Sequence, residues 1–157
     1  MYMVCPFDSR SAGHFSAMYA AYKENAPVTL THLNPPTLPA NPAFSQGVRI
    51  AGPGDLLVVG GQNGIDGTGA VVSSDPGEQA AQALRNVIAV LEAAGGTQAD
   101  VAKLTIYLVA GNDARVIYGA AQQVWGPHAT AVTVLQVAGL ARPDCVVEIE
   151  ALAQLNG

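Results

Sequence analysis

Asp75-Pro76-Gly77-Glu78-Gln79, running on through Leu91-Glu92-Ala93-Ala94-Gly95-Gly96 to Val101-Ala102-Lys103-Leu104-Thr105-Ile106-Tyr107-Leu108-Val109, changes its hydrophobic period partway along. The first half starts as a helix starts. Asp75 can accept hydrogen bonds from free first-turn amides, Pro76 suits the first helical position, and Glu78 follows three residues after the cap. Ala80, Leu84, Val87, Ile88, Leu91 and Ala94 then recur at three- and four-residue spacing, which makes one apolar stripe. Gly95-Gly96 stops the helix. From Asp100 to Val109 the residues alternate instead. Ala102, Leu104, Ile106 and Leu108 face one way, and Lys103, Thr105 and Tyr107 the other. A helix with one apolar stripe followed by a strand with one apolar face predicts a helix layer packed on a sheet.

Working outward, a second helix is predicted from Asp113 to about Val124, and strands over Thr130–Ala138 and Cys145–Ala153. Upstream, Ala43–Ile50 reads as a first strand and Gly52-Pro53-Gly54-Asp55 as a turn. Leu56–Val59 is a continuous apolar run ending in Gly60-Gly61, which predicts a buried central strand with close backbone approach at its end. Asp66-Gly67-Thr68-Gly69 is another turn, and Asn34 to Pro42 is proline-rich and extended. The predicted order is β-β-α-β-α-β-β, an α+β fold with both helices on one face of the sheet. The other face is also apolar and has no helix left to cover it. Residues 1–26 lack periodicity and read as a leader or tag-like segment, poorly ordered, with a weakly anchored helix over Ser16–Lys23. Residues 27–157 form a single domain.

Half of the chain is hydrophobic and only 12% is charged, against roughly 25% in typical soluble domains. This shortage, like the uncovered sheet face, predicts a homo-oligomer with wide apolar interfaces. No apolar run approaches the ~18 residues of a membrane span. Net charge is −5, and the seven basic residues are spread singly. Nucleic-acid binding begins with a basic patch, so no such partner is expected. Cys5 and Cys145 lie far apart, and Cys145, at the start of a strand, reads as a small buried hydrophobe. The expected setting is reducing and cytoplasmic. His14, His32 and His128 have no metal-ligand spacing, so no metal is expected. Gly60-Gly61-Gln62-Asn63-Gly64 lacks the lysine and following helix of a phosphate loop.

The last strand carries the chemical signal. Glu148 and Glu150 are two residues apart, so they share one side of an otherwise apolar strand. Two buried carboxylates are costly unless that side meets water, a partner or a ligand.

Five segments in order resemble the Rid (YjgF) family, which includes the RidA enamine/imine deaminases. They are Ala43-Phe44-Ser45-Gln46-Gly47-Val48, Gly60-Gly61-Gln62, the helix from Glu78-Gln79 to Leu91-Glu92-Ala93-Ala94-Gly95, Val101–Leu108, and Val147-Glu148-Ile149-Glu150-Ala151. The resemblance covers about residues 33–155. It implies a chorismate-mutase-like α+β fold, a homotrimer with small-molecule clefts between neighbouring subunits, and no cofactor or metal.

Carried over residue by residue, the resemblance implies a divergent subgroup. Glu148 matches the glutamate thought to position or activate the hydrolytic water. The arginine that pairs with the substrate carboxylate falls at Val132, counted back from the terminal motif with one extra residue in the Ala141–Asp144 loop. Anchored on Pro127, it falls at Ala129 or Thr130. Neither register holds an arginine, and no Arg or Lys occurs from Val116 through Ala141. The family's tyrosine is Phe44, its serine before Gly-Gln is Gly60 (followed by Gly61), and its helix asparagine falls near Tyr118. A guanidinium fork is the natural partner of a carboxylate. With Val132 beside Glu148 and no fork, the pocket is expected to prefer a neutral or cationic ligand over a 2-imino acid. Imine or enamine hydrolysis through Glu148 is one expectation, and a non-catalytic ligand-binding or interaction module the alternative.

The remaining residues have plainer readings. His128 reads as a solvent-facing loop residue, with the alternative that it reaches the cleft and replaces some of the missing charge, and His32 as a plain loop residue. Trp125 is packing at the end of the second helix. Tyr107 lines a subunit interface, and Glu150 is a rim or interface charge. Phe44 is either a stacking wall for a ligand or core.

Overall fold

The computed structural model describes residues 27, 29–33, 42, 47–51 and 54–155. The leader-like segment with its possible helix over Ser16–Lys23 lies outside these residues, as does Phe44.

Among the described residues, six strands and two long helices follow one another: β1 (Thr29–Leu33), β2 (Gly47–Ala51), β3 (Asp55–Asn63), α1 (Pro76–Ala93), β4 (Val101–Val109), α2 (Ala114–Trp125), β5 (Ala131–Val137) and β6 (Val147–Leu155). A single 3-10 turn, Gln98–Asp100, joins α1 to β4. The predicted helix start is confirmed: the Asp75 side chain accepts from the Glu78 amide, with Pro76 inside the first turn. Asp113 caps α2 in the same way through the Arg115 amide.

β3, β6, β4 and β5 form one sheet in that order. β6 runs antiparallel to both neighbours, and β4 pairs parallel with β5. A parallel pair needs a crossover, which α2 supplies. β1 and β2 make a separate antiparallel ladder. One core lies between the helices and the sheet. Val59, Leu104, Leu108, Val147, Ile149, Ala151 and Ala153 from the sheet meet Leu84, Val87 and Leu91 of α1. Gly77 lets the start of α1 approach α2, since a Cβ there would sit 3.2 Å from Val116 Cγ1.

Four expectations are corrected. Among the described residues, the Leu56–Val59 run belongs to an edge strand of its sheet, and Leu56 and Val58 are 60% and 66% exposed. A continuous apolar run cannot distinguish two buried faces from one buried face and one bare face. The strand also does not end at Gly60-Gly61. It continues to Asn63 through an irregularity between Val59 and Gln62. His32 lies in β1 opposite Val48 rather than in a loop. Cys145 is buried as expected, but β6 begins two residues later, at Val147.

Candidate functional site

The predicted site residues fall into two groups, on opposite faces of the sheet. The first group lies under α2. This helix packs on α1 and stands away from β4 and β5, leaving a cavity of about 600 Å³. Leu104, Ile106 and Leu108 of β4 and Val132 and Val134 of β5 form its floor, and Ile117, Tyr118, Ala121, Gln122 and Trp125 its helix wall. Register explains the floor: Leu104 pairs with Val132 and Ile106 with Val134, so all four face the helices. Gly126 to Thr130 closes one end. Gly126 has a φ of 73°, a conformation that favours glycine after a helix. The Trp125 indole donates to the His128 carbonyl at 3.0 Å, which ties this segment to the helix. Both registers of the missing arginine, Val132 and Ala129 or Thr130, therefore reach the same cavity.

The cavity mouth is polar. His128 is exposed, as expected, and also borders the opening. The Gln122 amide donates to the Tyr118 hydroxyl at 2.9 Å. Among the described residues, Arg115 is the one cationic lining residue other than histidine. Its guanidinium is held by Asp113 at 2.8 Å, and its side chain is 91% exposed. This contact holds the Asp113 carboxyl below its ordinary pKa and raises that of Arg115.

The second group lies on the helix-free face. Glu148 and Glu150 share it, as their spacing predicts, while Val147, Ile149 and Ala151 point into the core. The Glu148 carboxylate lies over Gly61, where a Cβ would fall 2.1 Å from Oε1. At Gly60 a Cβ would meet nothing. Asn63 Nδ2 donates to Glu148 Oε2 at 3.2 Å and to the Val147 carbonyl at 3.1 Å. The Tyr107 hydroxyl donates to Glu150 Oε1 at 3.0 Å. That bond, followed by desolvation and the two carboxylate charges, pushes the Tyr107 pKa up. Within one chain, Val132 does not stand beside Glu148. Glu148 pairs with Tyr107 and Val132 with Leu104, one step out of phase, so they point to opposite faces.

Sequence reasoning missed the supports of this second group. Asn86 donates to the carbonyls of Asn63 and Ile65 at 3.0 and 2.9 Å. Gln79 is fully buried; its amide donates to the carbonyls of Ser73 and Asp144 and accepts from the Val146 amide. Together they fasten α1 to the end of β3 and to the loop before β6. A polar residue inside an amphipathic stripe was the available signal, since Gln79 adjoins the apolar series at Ala80. Burial raises the pKa of the Cys145 thiol. Among the described residues no helix is long and apolar enough to cross a membrane, and no group of three or more His, Cys, Asp or Glu could hold a metal ion.

Two helices lie on one face of a β3-β6-β4-β5 sheet, with an apolar cleft beneath the second, which makes this an α+β protein. Residues 36–155 match the sequence model of the family described as Endoribonuclease L-PSP. A RutC family protein of Pyrococcus horikoshii is 36% identical over 111 residues, which cover 70% of this chain and 85% of the relative. A 2-iminobutanoate/2-iminopropanoate deaminase of Salmonella typhimurium is 34% identical over 113 residues, 70% of this chain and 85% of that one. Among solved structures, the Rid-family protein YyfB of Yersinia pestis, of unknown function, superposes with a TM-score of 0.71 at 32% identity, covering 80% of this chain and 98% of its own. Escherichia coli TdcF, solved with bound serine, gives 0.59 at 31% identity, covering 74% and 91%. The chain belongs to the Rid (YjgF) family.

Proposed function

We propose that the cavity beneath α2 binds a small molecule, and that Glu148 of a neighbouring copy in a homotrimer completes the site. The observation that carries this reading is the division of the site. Tyr118 and Val132 line an apolar cavity, Glu148 lies on the other side of the sheet, and that second face leaves Leu56, Val58, Leu135 and Leu152 exposed. A neighbouring copy seated on the bare face would bury these side chains and bring the two groups together.

The chemistry proposed is hydrolysis of an imine or enamine-like substrate. Glu148 takes a proton from water as the water oxygen attacks the C=N carbon, giving a carbinolamine. That proton goes to the imine nitrogen to complete the carbinolamine; Glu148 then takes the hydroxyl proton as the C=O forms and delivers it to the amino nitrogen, the C–N bond breaks, and carbonyl product and ammonia leave, so one water is consumed per C=N cleaved. The Asn63 amide holds the carboxylate for this work, and Gly61, lacking a Cβ, leaves it room. Hydrolysis of 2-imino acids, the activity named for the Salmonella relative, is not proposed for this chain, because among the described residues no fixed cation lies inside the cavity to receive their carboxylate.

Ammonia release from imines generated in solution tests the reading. Wild type is expected to accelerate it, and Glu148→Ala to lose the acceleration. A second reading, a non-catalytic binding module, draws on the same absence of a cation. Under it, Glu148→Ala keeps its ligand and wild type shows no turnover. The description of the family as endoribonucleases is not adopted, because the basic residues are spread singly. RNA binding that weakens steeply with salt would overturn that choice.

A further inference from the structure

We infer that the cavity takes a neutral, mainly apolar molecule, aromatic or branched-aliphatic, carrying one uncharged polar group such as a carbonyl or neutral imine. The inference rests on reading the cavity as the ligand site, and it names the class of molecule that site selects.

The floor offers a ligand only hydrocarbon: Leu104, Ile106, Leu108, Val132 and Val134. The segment that supplies most of the helix wall, the closed end and β5 carries no Lys or Arg, since none occurs from Val116 through Ala141. Arg115 does not replace them. It stands outside the floor, highly exposed and already paired with Asp113. A carboxylate drawn inward would lose its hydration and gain no cation from the described lining residues of this chain, which is costly in apolar surroundings. A neutral carbonyl faces a smaller cost and needs one donor. At the mouth, the Tyr118 hydroxyl accepts from Gln122, which leaves its own proton free to donate. Size points the same way. A cavity of about 600 Å³ lies in the range of sites for drug-sized molecules, more room than a four-carbon acid fills.

Phenylacetone and phenylpyruvate test this directly, because they differ only by a methyl group in one where the other has a carboxylate. Isothermal titration calorimetry of the full chain is expected to show phenylacetone binding about tenfold or more tighter. Equal or tighter binding of phenylpyruvate overturns the inference but leaves the cavity a ligand site. Absence of binding by both overturns the cavity reading itself. Val132→Trp, or Ala121→Leu should the first variant not fold, is expected to abolish phenylacetone binding. Undiminished binding by a folded variant would place the ligand elsewhere and overturn the inference. Val132→Arg is expected to reverse the preference toward phenylpyruvate.

Discussion

Gly61 and Gly64 are close in sequence, yet alanine at each would meet a different obstacle. At Gly61 the new Cβ meets Glu148 Oε1, the mobile tip of a long side chain. At Gly64 it meets Gln79 Cα and Cβ at 2.5 Å, which cannot move without shifting α1. Gly64→Ala is therefore expected to lose about 1–3 kcal/mol of stability in chemical denaturation. Gly61→Ala is expected to lose clearly less while abolishing any activity that depends on Glu148. Equal losses of stability would contradict this placement of the carboxylate. Gln79→Leu strips partners from two carbonyls and one amide in the interior, and about 3 kcal/mol is the expected loss. Tyr107 gives a titration prediction. Its hydrogen bond to Glu150 raises its folded pKa, so that bond's contribution is complete below the ordinary tyrosine pKa and is lost as pH rises through the raised one. Glu150→Gln is expected to bring Tyr107 ionisation back toward the ordinary range, followed by NMR of labelled tyrosine. An unchanged titration would remove Glu150 as the cause.

Among the elements, α1 and β4 were the most legible. A capped, striped helix and a strictly alternating strand leave little choice of structure, and the buried faces are those the spacing marks. Leu91→Ala in this core is expected to cost about 2–5 kcal/mol, measured by denaturant unfolding. β1 was not legible. Thr29–Leu33 is short and of mixed polarity, and its partner β2 lies beyond the proline-rich stretch, so the pairing has no local signal. β3 was legible as a strand but not as an edge, because exposure of Leu56 and Val58 depends on what lies beside the sheet. The site was half legible for a similar reason. Parity within β6 puts Glu148 and Glu150 on one side. Whether Val132 shares that side depends on the register of β4 with β5 and β6, which no spacing along one strand reveals.

At the scale of the whole molecule, the neighbouring copy proposed above would account for both the apolar face and the divided site. Light scattering is expected to report three chains per particle, and Val58→Asp on the bare face to shift the particle toward single chains. The sharpest test of the shared site needs no substrate. In a Cys5→Ser background, Tyr118→Cys and Glu148→Cys are made as separate chains, refolded together and treated with a short bismaleimide. If cavity and carboxylate meet between copies, the mixture gives covalently joined pairs of chains on a denaturing gel, and neither variant alone does so. A mixture that stays entirely as single chains, although each variant folds and assembles, would contradict the shared site.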